Sequence, residues 1–207
     1  MDIRKAIQTG NALALRRLLA EDPAGANRLI EWGKSCEIHT HPLHYVSDML
    51  FDGTLKHGKD LALIDALISA GSDCNHQAAN GETPLIGAAS LAAEDVGLRL
   101  LDSGAQPNLR GAFKETALHW SAHLGLLRLS ARLIGEGTDV NLTDARYNSS
   151  PLGWAIHGRR VAAPGSRGNH CEVVALLVAS GAKVEPEWLV DQGIVSDPPL
   201  LAALQGR

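Results

Sequence analysis

Thr116-Ala-Leu-His119 opens a segment that closes on Gly137-Thr-Asp-Val-Asn141. The same opening stands at His41-Pro-Leu-His44, Thr83-Pro-Leu-Ile86 and Ser150-Pro-Leu-Gly153. The same closing stands at Gly71-Ser-Asp-Cys-Asn75, Gly104-Ala-Gln-Pro-Asn108 and Gly181-Ala-Lys-Val-Glu185. The openings follow one another at 42, 33 and 34 residues, and the closing glycines at 33, 33 and 44. A period of this size marks a unit that cannot bury its apolar face alone and must stack on its neighbours. Thr or Ser at the opening can cap a first helical turn, and Pro at the next position gives up no needed N–H. Gly at the close supplies the left-handed turn after a second helix.

These tetrapeptides at this spacing resemble the ankyrin repeat, whose unit opens on T-P-L-H and closes on G-A-D-V-N, over roughly residues 2–185. The resemblance implies an all-α solenoid of stacked antiparallel helix pairs with β-turn fingers. It implies one domain over 1-207, with an N-terminal capping pair at 1-22 and repeats at 41-75, 83-108, 116-141 and 150-185. A C-terminal cap at 186-207 would cover the open end of the stack, with Trp188 as its core anchor. The expected helices are 2–8 with 11–20, 42–51 with 60–70, 84–91 with 94–103, 117–124 with 126–135, 151–157 with 170–180, and 186–192 with 198–205. In the first pair, Ile3, Ala6, Ile7, Leu13, Leu15, Leu18 and Leu19 suit one buried face.

Two repeats are longer than the others. From the residue after the opening Thr to the closing Gly is 20 residues in the middle repeats, but 29 from Pro42 to Gly71 and 30 from Pro151 to Gly181. Both insertions fall between inner and outer helix, at 52–60 and 158–168, and both are basic: Lys56, His57 and Lys59 in one, Arg159, Arg160 and Arg167 in the other. Such insertions map to loops on one edge of a repeat array, where loops carry function. Residues 22–40 carry no family signature and are expected to form an irregular long finger.

Composition narrows the function classes. Nineteen Lys+Arg against 23 Asp+Glu give −4, which argues against a nucleic-acid binder. Eight aromatics in 207 residues leave Leu, Ala, Ile and Val to fill the core. Cys36, Cys74 and Cys171 are too few and too scattered for a disulfide scaffold and point to a reducing compartment. No run of about 18 apolar residues is present, so no membrane span is expected. The chain reads as a cytoplasmic monomer without cofactor, and its composition suits a bacterial origin.

Candidates for chemistry are few. Gly33-Lys34-Ser35 matches the end of a phosphate loop, but Arg28 stands where G-x-x-x-x-G-K-[ST] requires Gly. Cys36, His39, His41 and His44 lie within nine residues, with Asp48 and His57 nearby. Thiolate and imidazoles could hold zinc, and an open zinc would activate water, so Cys36, His39 and His41 define an alternative reading as a metal-binding protein or metal-dependent hydrolase. Against it, His44 falls on the family's structural histidine and His41 on its Thr cap. His119 and His123 are one turn apart but lack the Glu of H-E-x-x-H. No G-x-S-x-G elbow occurs.

The leading expectation is therefore a non-enzymatic protein–protein interaction module. In the resembled family, inner helices and fingers line a concave groove that holds the partner. Stacking the repeats places Tyr45, Gly87, Trp120 and Trp154 on that face, and Asp48, Ser90, His123 and His157 one turn later. Ile38, Asn80, Phe113 and Tyr147 fall at the finger tips. Large rigid rings are favoured anchors of binding hot spots. The expected partner-binding set is Tyr45, Asp48, Phe113, Trp120, His123, Tyr147, Trp154 and His157, with Arg159 and Arg160 beside it to suit an acidic partner segment. His123 and His157 could add a pH-sensitive contact.

Overall fold

The computed structural model describes residues 1–33, 38–162 and 169–206. The chain divides into two compact units, Met1–Gln106 and Pro107–Arg207.

The first unit begins with α1 (Ile3–Gln8) and α2 (Ala12–Glu21). Asp2 accepts from Lys5 N–H at 2.7 Å and Asn11 from Ala14 N–H at 3.0 Å, so each helix starts on a side-chain cap. A 3-10 turn (Pro23–Ala26) follows, then strands β1 (Ile30–Trp32) and β2 (Ile38–Thr40). These two strands pair antiparallel, Ile30 with Thr40 and Trp32 with Ile38. The irregular finger expected at 22–40 is thus a 3-10 turn and a short strand pair, a small addition to an otherwise helical fold. Trp32 fixes the hairpin by donating from Nε1 to Thr40 Oγ1 at 3.0 Å.

Helix pairs α3 (Pro42–Phe51) with α4 (Asp60–Ser69), and α5 (Pro84–Ser90) with α6 (Glu94–Asp102), complete this unit. Leu15, Leu43, Leu63, Leu67, Leu85 and Leu100 fill its core. Thr83 caps α5 by accepting from Ile86 N–H at 3.2 Å. His41 sits at the corresponding place on α3 but makes no cap bond. Its Nε2 lies 3.1 Å from Asn27 Oδ1, and its ring stacks on His76 at 4.3 Å.

Asparagines stitch successive repeats. Asn27 donates to Gly71 O at 2.8 Å and accepts from Asp73 N–H at 2.7 Å. Asn75 does the same with Gly104 O (3.1 Å) and Gln106 N–H (2.7 Å). Asn141 does so in the second unit, with Gly181 O (3.0 Å) and Lys183 N–H (2.8 Å). The closing Asn of one repeat therefore receives the turn of the next. The same bonding identifies Ala24-Gly-Ala-Asn27 as a closing segment too, which its divergence had hidden.

The second unit holds α7 (Ala117–His123), α8 (Leu127–Gly135), α9 (Pro151–Val161) and α10 (His170–Ala179). A 3-10 turn (Pro186–Val190), α11 (Gln192–Val195) and α12 (Pro198–Leu204) close it. Leu118, Leu129, Leu133, Leu152, Val173, Leu177 and Leu200 form its core. Trp188 is only half-buried and lies beside Gly153, so it covers a helix face and is not the central anchor expected. No helix among the described residues is long and apolar enough to cross a membrane.

Helix α9 runs one turn beyond the expected 151–157, through residues assigned to a loop. Gly158 sits so close to α7 that a side chain there would collide with the His123 carbonyl. The glycine is a close approach between helices, not a breaker. The turn it permits places Arg159 against Asp197, with Nε–Oδ2 at 2.9 Å and Nη2–Oδ1 at 3.1 Å. Its side chain is 13% exposed, and Asp197 also caps α12 by accepting from Leu200 N–H at 3.4 Å. Arg159 is therefore a bidentate tie between α9 and α12, not a free loop cation. Arg160 stays exposed, with Nη1 3.7 Å from Asp191. Arg167 lies outside the described residues.

His119 fills the structural role expected of it. Fully buried, it accepts at Nδ1 from the backbone N–H of Thr116 at 3.1 Å, with Thr116 Oγ1 at 3.0 Å. Burial, above all, holds its pKa near 4 instead of 6.5. The unfolded chain then binds a proton between those values that the folded chain does not. Stability from His119 is complete above about pH 6.5 and is lost as pH falls toward 4, by up to roughly 3 kcal/mol. Urea midpoints measured from pH 7.5 to 4.5 are expected to drop more steeply for the wild-type chain than for His119→Gln. Parallel profiles would contradict this.

Candidate functional site

The finger before α9 is organised by one carboxylate. Asp144 is buried and accepts from Arg146 N–H (2.7 Å), Tyr147 N–H (2.7 Å) and Ser149 N–H (3.1 Å). Trp154 Nε1–H donates to the same carboxylate at 3.0 Å, across from the first turn of α9. Burial alone would raise the Asp144 pKa, but these four donors outweigh it and hold the group below the usual carboxylate range. Tyr147 and Trp154 are thus positioned by the same anion. Asn148 takes the left-handed conformation (φ 49°) that lets the finger turn back.

Around that anchor the rings gather. Trp120 on α7 meets Trp154 edge-to-face with centroids 5.0 Å apart. His123 lies 5.8 Å from Trp154 and stacks on His157 at 5.4 Å with planes 17° apart. Tyr147 meets Trp154 at 6.2 Å. Together with Ser149 and Gly153, these side chains line a cleft of about 410 Å³. Its lining is largely aromatic, and among the described residues it contains no carboxylate, Lys or Arg.

Two backbone contacts fix the walls. His123 Nδ1 lies 3.4 Å from Trp154 O, which ties α7 to α9. His170 Nε2–H donates to His123 O at 2.9 Å, which ties α10 behind them. Burial lowers the His123 pKa and so favours its neutral ring in the cleft.

Of the residues expected to bind a partner, Trp120, His123, Tyr147, Trp154 and His157 come together here. Phe113 lies at the neighbouring finger, 48% exposed, where Ala145 N–H donates to its carbonyl at 2.5 Å. Arg146 lies over both rings, its Cζ 5.0 Å from the Phe113 centroid and 5.3 Å from that of Tyr147. Tyr147 is 65% exposed and belongs to both the cleft and this cation–ring contact.

Tyr45 is a correction. It was expected to face outward, but it is fully buried. Trp32 of the hairpin covers it edge-on at 5.5 Å, and its hydroxyl accepts from Gln8 Nε2 at 2.9 Å. Burial raises its pKa. Asp48, on α3 in the same unit, is half-buried, and desolvation with Glu82 nearby lifts its pKa to about 6.

The metal candidates do not assemble among the described residues. Cys36 lies outside them. His39 is exposed, with Nδ1 3.9 Å from Glu31 Oε1. His41 is turned to Asn27 and stacked on His76, and His44 Nε2–H donates to His76 O at 3.0 Å. No group of three His, Cys, Asp or Glu among the described residues could hold a metal ion.

Comparison with known proteins follows the same repeats. The family model described as ankyrin repeats (3 copies) matches residues 54–144. No curated protein matches the chain significantly. The matched copies span α4 through the Asp144 finger, the stretch where the helix pairs recur at 33 residues and where Asn75 and Asn141 of the stitching asparagines stand. With those repeats matched and folded as helix pairs, residues 54–144 are ankyrin repeats, and the fold is a helical solenoid by class.

Proposed function

We propose that this chain is a non-catalytic binding module that holds a protein segment in the cleft between α7, α9 and the Asp144 finger. Ankyrin repeats are in general protein-interaction modules, and what supports this particular site is the convergence of Trp120, Tyr147 and Trp154 on one open cleft. Three large rings that are not sealed in the core present apolar area at low entropic cost, the usual composition of a hot spot. Trp120 and Tyr147 are the residues to test, because Trp154 also serves Asp144 and its loss would disturb the finger.

A random peptide library displayed on phage, selected on the intact chain, supplies the ligand. The Trp120→Ala, Tyr147→Ala double variant is expected to keep the wild-type helical spectrum and to lose the selected peptides about thirtyfold or more, the loss of one hot spot of about 2 kcal/mol or better. Unchanged affinity in the folded double variant would contradict the assignment.

A further inference from the structure

The segments 110–116 and 143–149 form the two fingers flanking the cleft in the second unit. They carry five charged side chains: Arg110, Lys114 and Arg146, and the carboxylates of Glu115 and Asp144. Both carboxylates are buried and turned onto backbone donors. Glu115 accepts from Phe113 N–H at 2.8 Å, and Asp144 takes its three N–H bonds and one indole. The cations are outside. Arg110 is spent on carbonyls, with Nε–H on Lys114 O (2.6 Å) and Nη2–H on Thr143 O (2.5 Å). Lys114 and Arg146 are exposed, and no carboxylate pairs with Arg146 among the described residues. The fingers thus hide their negative charge and display their positive charge.

Arg146 is also held. Its guanidinium lies over both the Phe113 and Tyr147 rings, so its planar fork is pre-ordered before any ligand arrives. Tyr147 is at the same time a wall of the cleft. A cationic ligand would meet a cation already seated on the rim. A carboxylate would meet an ordered fork whose N–H groups lie in the plane it prefers.

Resting on the proposed function, we infer that the partner is an acidic peptide segment, with a carboxylate on Arg146 and an aromatic or large aliphatic side chain in the Trp120–Trp154 cleft. The ring distances put the guanidinium no further than ~12 Å from Trp154, so acid and anchor stand within about three extended residues of each other. The basic determinant is then Arg146 with Lys114, on the fingers, and not Arg159, which is spent on Asp197.

The test uses the intact chain and the phage-displayed random peptide library. Peptides selected on the wild-type chain are expected to be enriched in Asp or Glu within three residues of Trp, Phe, Leu or Ile. A synthetic peptide of the top consensus should bind Arg146→Gln about fivefold or more weakly, with a shallower salt dependence than the wild type. Selection on Arg146→Gln should keep the apolar anchor and lose the acidic bias. Peptides that need Trp120 but show no acidic bias, or that bind Arg146→Gln equally, would overturn this inference and leave the cleft standing. Peptides that ignore Trp120 and Tyr147, or no enrichment at all, would overturn the cleft itself. Enrichment of Lys or Arg would overturn the charge assignment.

Discussion

Asp144→Ala is expected to cost the chain about 3–5 kcal/mol, because it strips four donors of a buried charged acceptor at once. The backbone N–H groups of Arg146, Tyr147 and Ser149 would be left pointing at a void, together with the Trp154 indole. Asp144→Asn is expected to fall between the variant and the wild type, since one of its two positions offers N–H where the finger supplies only donors. Urea denaturation followed by tryptophan fluorescence checks both. The pH dependence has a definite sign. The folded-state pKa of Asp144 is lowered, so its contribution is present above the unfolded value near 4 and is lost as pH falls below that. The gap between each variant and the wild type should therefore be widest at neutral pH and narrow in acid, as the charge-dependent part of the contribution is lost. A loss below about 1 kcal/mol at pH 7 would mean that the finger does not depend on this carboxylate.

Gly158→Ala is the second large effect. The added methyl would enter the His123 carbonyl, and backbone cannot step aside as a flexible side chain can. Overpacking of a tight interior usually costs 1–3 kcal/mol, and a backbone obstacle puts this site at or above the top of that range, about 3 kcal/mol. For a chain of this size, that corresponds to a fall of roughly 10 °C in melting temperature. The displaced carbonyl also accepts the His170 ring N–H, so α7, α9 and α10 are disturbed together. Trp120 and His123 ride on α7, and Trp154 and His157 on α9, so the cleft is expected to open and the selected peptides to bind more weakly. Gly153→Ala is not an equivalent control, because a side chain there would strike Ser149. An unchanged melting temperature in Gly158→Ala would show that the two helices can part freely.

The helix pairs were legible because capping residues and left-handed glycines act locally, within one turn of chain. Thr83 capping Ile86 and the positive φ of Gly71, Gly104, Gly137 and Gly181 follow directly from their residue types. The outward position of Trp120 and Trp154 was legible for a related reason: one repeat period carries a face from helix to helix. Tyr45 broke the same rule because its cover, Trp32, comes from a hairpin outside the repeat pattern. No periodicity could reveal a lid supplied by an unrepeated segment. Gly158 was misread because glycine marks either the end of a helix or a close approach, and only the neighbouring His123 carbonyl separates the two. Arg159 followed from that error, since its partner Asp197 is 38 residues away and is reached only if α9 continues. The ordering role of Asp144 was missed as well. Its signal was a lone acid in a turn-rich stretch, Asp144-Ala-Arg-Tyr-Asn-Ser149, where a carboxylate can collect the N–H groups of the residues that follow.

The proposed binding site stands or falls on Trp120, Tyr147 and Trp154. The most direct measurement is a ¹⁵N-edited NMR titration of the intact chain with the consensus peptide from the library selection, reading the indole Nε1–H signals of Trp32, Trp120 and Trp154. The Trp120 and Trp154 signals are expected to shift and saturate with the peptide, while Trp32, seated over Tyr45 and bonded to Thr40, stays in place. Saturable binding that leaves Trp120 and Trp154 unmoved would contradict the proposed site.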